Sequence, residues 1–95
     1  MSNWNIQLTG RFIKELARLD KPIRRQVSAF LDGLTQLEDP RQRGKAVVGE
    51  LRDYWRYRVG DYRVIVVIDD KEVRVIAITV GHRSRVYNGP PPNAR

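Results

Sequence analysis

A Gly60-Asp61 pair separates two strand-like runs, Tyr54-Trp55-Arg56-Tyr57-Arg58-Val59 and Tyr62-Arg63-Val64-Ile65-Val66-Val67. Gly-Asp between two such runs predicts a tight two-residue hairpin. With Val59 paired to Tyr62, Arg58 sits directly opposite Arg63. Arg56 lies two residues along on the same face, because side chains alternate with period 2. Like charges placed directly opposite destabilise a sheet. Three guanidiniums stacked there give the fold nothing, whereas a bound polyanion supplies a reason for them.

Composition points the same way without deciding it. The 95 residues suffice for one domain with one modest core. Lys and Arg number 18 against 11 Asp and Glu, a formal charge of +7 that suits a partner rich in phosphate or carboxylate. A basic surface also serves solubility, and the excess is spread over both halves of the chain. Only folding can gather it on one face. There is no cysteine and one histidine, so neither a disulfide, a thiolate metal site nor a His-based zinc site is expected, and no cofactor is expected. Met1-Ser2-Asn3-Trp4-Asn5 has neither the basic start nor the apolar run of a signal peptide. No apolar stretch approaches the roughly 20 residues of a membrane helix. The expectation is a soluble cytoplasmic protein with no membrane partner.

Along the chain, Asn5-Ile6-Gln7-Leu8-Thr9 alternates as a short strand. Thr9 then caps a helix with Phe12, Ile13, Leu16 and Leu19 on one face. Asp20-Lys21-Pro22 breaks that helix and starts a second, carrying Ile23, Val27, Phe30, Leu31, Leu34 and Leu37 and ending at Glu38-Asp39-Pro40. Two helices joined so tightly predict an antiparallel helical hairpin. Arg24 and Arg25 fall off the apolar stripe, on a solvated face. Residues 41–49 read as a polar connection, solvated or adding phosphate contacts through Arg41, Arg43 and Lys45.

Three strands follow, over about 52–59, 62–69 and 72–80. Trp55, Tyr57, Tyr62, Val64, Val66, Val73, Val75 and Ala77 share the face that should receive the helices. The opposite face carries Arg56, Arg58 and Arg63 at one end and Ile65, Val67, Ile76 and Ile78 at the other, where a partner or tail is expected to cover it. The fold class is α+β: an N-terminal strand, an antiparallel two-helix hairpin, then a three-stranded antiparallel meander joined by the first strand. Residues 1–87 make a single domain, and 88–95 a flexible Pro-rich tail.

After the last strand, Val80-Gly81-His82-Arg83-Ser84-Arg85-Val86-Tyr87 leaves the sheet at Gly81 and presents His82, Arg83, Arg85 and Tyr87. The third strand pairs with the second, so its end lies near the Gly60-Asp61 turn and the cations converge there. Guanidinium forks bind phosphate oxygens bidentately. Tyr54 and Tyr87 are placed to stack on unpaired bases, so single-stranded RNA suits this site better than a duplex.

The order strand, two helices, three strands, the Arg-Val-Gly-Asp-Tyr-Arg run at 58–63 and Val-Gly-His-Arg at 80–83 closing on Tyr87 resemble the RelE/ParE toxin superfamily. The C-terminal Arg and Tyr make the chain more similar to the RelE ribonuclease branch than to the ParE gyrase-poison branch. The resemblance implies the toxin of a type II toxin–antitoxin system. It further implies a metal-independent endoribonuclease that cuts A-site mRNA on the ribosome through 2′-hydroxyl attack, leaving a 2′,3′-cyclic phosphate. Arg63 and Arg83 match its phosphate-stabilising arginines, Tyr87 its terminal catalytic or stacking tyrosine, and Arg85 a further basic position. Arg56 and Arg58 stand where better-known members carry two lysines. Lysine can be tuned to act as a base but arginine stays protonated. Tyr87 or His82 would then take the proton, or cleavage would rest on orienting the 2′-hydroxyl and stabilising charge. His82 reads equally as a hydrogen-bonded structural residue. The implied partners are the ribosome, through rRNA and A-site mRNA, and a cognate RelB-like antitoxin, acidic and amphipathic; operator DNA is reached only through that antitoxin. Two other readings stay open, a ParE-like inhibitor of DNA gyrase and a non-catalytic co-repressor component.

Overall fold

Thr9 starts the first helix as its position predicts: its Oγ1 accepts the Phe12 N–H at 3.1 Å. The computed structural model describes residues 4–47 and 54–85. Its elements are β1 (Asn5–Leu8), α1 (Gly10–Ala17), α2 (Lys21–Leu34), a 3₁₀ turn (Pro40–Gln42), β2 (Lys45–Ala46), β3 (Tyr54–Val59), β4 (Tyr62–Asp69) and β5 (Arg74–His82). The strands form one sheet in the order β1-β5-β4-β3-β2, antiparallel except that β1 runs parallel to β5. The α+β class holds, but the meander gains an edge strand and becomes part of a five-stranded sheet. Among the described residues no helix is long and apolar enough to cross a membrane.

Asp20 precedes α2 with extended backbone and Pro22 sits in the first turn, where a missing N–H removes no helical hydrogen bond. α2 ends at Leu34 rather than at Pro40, closed by Thr35, whose hydroxyl donates to the Asp32 carbonyl at 2.6 Å. Phe12 from α1 and Val27, Leu31 and Leu34 from α2 bury against Tyr57, Val59, Val64, Val66, Ile68, Val75, Ala77 and Val80. Each fully buried aliphatic or aromatic side chain contributes about 1.5–3 kcal/mol. Ile13, expected on the apolar face, is 52% exposed. Val73 is not in the strand. It occupies the β4–β5 turn with φ +52°, a strained conformation for a β-branched residue. On the sheet's other face Ile65 is buried, and Val67, Ile76 and Ile78 are half-buried.

The connection after α2 is ordered by the sheet it crosses. Tyr57 is fully buried and donates its hydroxyl to the Pro40 carbonyl at 2.7 Å, while its ring meets Phe30 edge-on at 5.1 Å. Burial pushes the Tyr57 phenol far above its ordinary range. The Trp55 indole donates to the Arg43 carbonyl, and Trp4 donates to Glu38. Asp39 caps the 3₁₀ turn by accepting the Arg41 N–H at 2.9 Å. These aromatic donors hold residues 38–43 against the sheet, and the chain then pairs as β2.

Arg41 ties that connection to the β4–β5 turn, donating Nη1 and Nη2 to the two Asp70 carboxylate oxygens at 3.0 and 2.8 Å. This bond holds the Asp70 carboxyl below its ordinary range. Asp69 is held down chiefly by the Glu72 backbone N–H, with Arg74 assisting. A carboxyl whose pKa is depressed by folding adds stability that is present above its unfolded value and lost as pH falls. The melting temperature is therefore expected to hold down to about pH 5 and drop below about pH 4, where free aspartates protonate. Asp70 is exposed and Asp69 half-buried, so screening keeps the drop modest. Asp70→Asn should flatten part of it in a melting series across pH.

Candidate nucleic-acid interface

The hairpin turns as its sequence requires. Gly60 has φ +59°, and Asp61 does not have positive φ, the pattern of a type II′ turn. Val59 pairs with Tyr62 and Arg58 lies directly opposite Arg63. Arg56, two residues along β3, faces Lys45 of β2 on its other side. Gly44, Lys45, Arg56, Arg58 and Arg63 line one cavity of about 390 Å³. Gly44 has φ +76°, and a Cβ there would strike the Arg56 carbonyl and both aromatic rings that pin the connection. Glycine is what lets β2 approach close enough to add Lys45.

Arg83 joins from the end of β5. Its backbone N–H donates to the Asp61 carbonyl at 2.7 Å, and its Nε lies 3.9 Å from the Asp61 carboxylate. Gly81, opposite Arg63, places no side chain beside it. Arg63 donates Nη1 to the Gly60 and Tyr62 carbonyls at 3.1 and 3.0 Å, which fixes its head over the turn. Its pKa is lowered, first by burial, then by Arg58, Arg56 and Arg83, with Asp61 opposing. All four remain cationic. They repel one another, and an anion with several oxygens would relieve that repulsion.

His82 shares this end of the sheet but not this face. It pairs with Tyr62, and the two rings meet edge-on at 5.4 Å. With Arg85 it lines a second cavity, of about 540 Å³, on the helix side beside Arg11, Glu15 and Arg18. Its Nδ1 accepts the Ser84 N–H at 3.2 Å, which leaves the proton of a neutral ring on Nε2. The sheet thus separates His82 and Arg85 from the arginine cavity. Tyr54 lies on the arginine side, but four residues up β3 from Arg58, about 13 Å at strand spacing. Burial raises its phenol pKa. Tyr87 lies outside the described residues, as does the tail 88–95.

β5 extends to His82 instead of ending at Val80, since Gly81 and His82 still pair with β4. Residues that sequence reasoning passed over organise this end. Glu15 of α1 accepts the Thr79 hydroxyl at 2.6 Å and the Val80 N–H at 3.1 Å on Oε1, while Arg11 Nε approaches Oε2 at 3.3 Å. The available signal was the Arg11–Glu15 i, i+4 pair beside the apolar stripe, which by itself reads as a surface ion pair. Gly44 and Asp61 were likewise visible only as loop residues. Among the described residues no three His, Asp or Glu side chains gather as a metal site.

A family model described as the ParE toxin of a type II toxin–antitoxin system, parDE, matches residues 6–87. The chain belongs to the RelE/ParE toxin superfamily. Within the superfamily it is 32% identical over 92 residues to toxin RelE of Mycobacterium tuberculosis (strain ATCC 25618 / H37Rv), covering 97% of this chain and 94% of that one. A chain of the M. tuberculosis RelBE2 toxin–antitoxin complex superposes with a TM-score of 0.77 at 28% identity, over 88% of this chain and 95% of that one. The isolated E. coli RelE toxin superposes with a TM-score of 0.69 at 26% identity, over 83% of each chain. The superfamily likeness thus spans both helices and the sheet, and the chain is a RelE-type toxin of a toxin–antitoxin system.

Proposed function

We propose that this toxin cleaves mRNA in the ribosomal A site and so arrests translation in the cytoplasm. The observation that carries the reading is the crowding of Arg56, Arg58, Arg63 and Arg83 around one end of the hairpin, with Lys45 beside them. In this reaction the RNA's 2′-oxygen attacks the adjacent phosphorus and the 5′-oxygen leaves, giving a 2′,3′-cyclic phosphate. Negative charge grows on the phosphoryl oxygens, where fixed guanidiniums stabilise it most. The charge stabilisation comes from the chain's own side chains, and no step is routed through a metal. Arginine cannot take the 2′-proton. Among the described residues lining the arginine cavity, Lys45 is the one whose chemistry permits proton transfer. The relative in the RelBE2 structure is bound to an antitoxin. A RelB-like antitoxin, acidic enough to neutralise the same face, is accordingly proposed for this chain, with operator DNA reached only through it.

Programmed ribosomes mixed with the protein should yield new mRNA 3′ ends within the A-site codon, mapped by primer extension. RNA binding should weaken steeply with salt, with a log–log slope of about −3 if four cations each displace counterions from a single strand. The family model's description favours a second reading, a ParE-like gyrase inhibitor. DNA breaks with intact mRNA after induced expression would establish that reading and remove the first.

A further inference from the structure

The β4–β5 ladder contains one extra residue. Val66 pairs with Ala77, but Ile65 pairs with Thr79, which leaves Ile78 bulged out of the register. A single inserted residue reverses which face every later side chain takes. Before the bulge, Val75 and Ala77 enter the core beneath the helices; after it, Val80 does. His82 follows Val80 to the helix side, and Gly81 follows Arg63 to the other. Arg83, two residues beyond Gly81, therefore arrives on the arginine face beside Asp61. In an uninterrupted ladder Gly81 and Arg83 would follow Ala77 and Thr79 to the helix side, and His82 would face the guanidiniums.

Glu15 is bonded to the two residues that follow the bulged one. Its Oε1 accepts both the Thr79 hydroxyl and the Val80 backbone N–H, and its side chain is 27% exposed between α1 and β5. A carboxylate accepting two donors from adjacent residues fixes their backbone, and charge-assisted hydrogen bonds of this kind are the strong ones. We infer that Glu15 is a positioning residue of the arginine site, holding the β5 bulge in the register that delivers Arg83 to the Arg63 face. It touches no substrate. Its effect on cleavage rests on the function proposed above, whereas its effect on register does not.

The test pairs ribosome-dependent cleavage with amide NMR on the full chain, for Glu15→Ala, Glu15→Gln and Thr79→Val. Gln keeps an oxygen acceptor on the same stem, so E15Q should cleave within about threefold of the parent. E15A and T79V should lower kcat about tenfold or more with a smaller change in KM, since a displacement near 1 Å at a distant support has effects of that size. In both, the Gly81 and Arg83 amides should shift, and the Arg83 N–H should lose protection as its bond to Asp61 loosens. Parental kcat and unchanged Arg83 protection in E15A would overturn the inference. If E15A does not fold, T79V decides, because it removes one donor and keeps the β-branched shape. If the parent cuts no mRNA, the cleavage proposal fails, and the amide comparison alone decides for or against the role of Glu15.

Discussion

Arg83→Ala is expected to lower ribosome-dependent mRNA cleavage by about 10²–10³-fold, the usual cost of removing one fixed donor from a developing oxyanion. Its fold should be unchanged. The Arg83 side chain is 64% exposed, and its contact with Asp61, at 3.9 Å between exposed groups, contributes little stability. Arg63→Ala should lose as much, and Arg63→Lys separates two roles of that residue. Lysine keeps the charge and loses the planar fork, so salt-dependent RNA binding should survive while cleavage falls. Arg25→Ala, on the exposed side of α2, serves as the matched control and should cut like the parent. Cleavage by R83A and R63A at the parental rate would remove the assignment of this face as the reaction site. Mapping 3′ ends at equal folded protein concentration, with melting curves alongside, gives the comparison.

Gly44→Ala is the second large effect, and it acts on stability first. An L-residue at φ +76° is strained, and the new Cβ would meet the Arg56 carbonyl, a backbone atom that cannot swing aside. The two rings on its other sides, Tyr57 and Trp55, are fixed by their bonds to Pro40 and Arg43. A loss of about 3 kcal/mol or more follows from strain and overpacking together, a large part of the 5–15 kcal/mol of an ordinary domain. Urea unfolding should show it as a lower midpoint. Because β2 would withdraw from β3, G44A should also weaken RNA binding through Lys45, beyond what the fraction unfolded explains. A midpoint equal to the parent's would mean that β2 is not held as described.

The cationic face was legible in large part because its information is local. A two-residue turn has one register, and period-2 alternation then puts Arg56, Arg58 and Arg63 on one side whatever the rest of the chain does. The core positions Tyr57, Val64, Val66, Val75 and Ala77 followed from the same parity. Val73 did not, because the turn holds it at positive φ outside the ladder. The edge strand was hidden because two residues carry no periodicity. What positions β2 is a pair of aromatic donors, Trp55 and Tyr57, whose acceptors in the preceding connection lie 12 and 17 residues away along the chain.

For the convergence of Arg83 on the hairpin, the sequence by itself determined only the end of the sheet. Antiparallel pairing of the last two strands brings residues 81–85 to the Gly60-Asp61 turn and leaves the face undecided. The face was decided in three dimensions, by one unpaired residue at Ile78 and by a carboxylate from α1 bonded just beyond it. Alternation is a property of neighbours in one chain and can be read from it. A bulge depends on what the facing strand and the overlying helix supply, so the choice that sends Arg83 to one side of the sheet and His82 to the other exists only in the folded molecule.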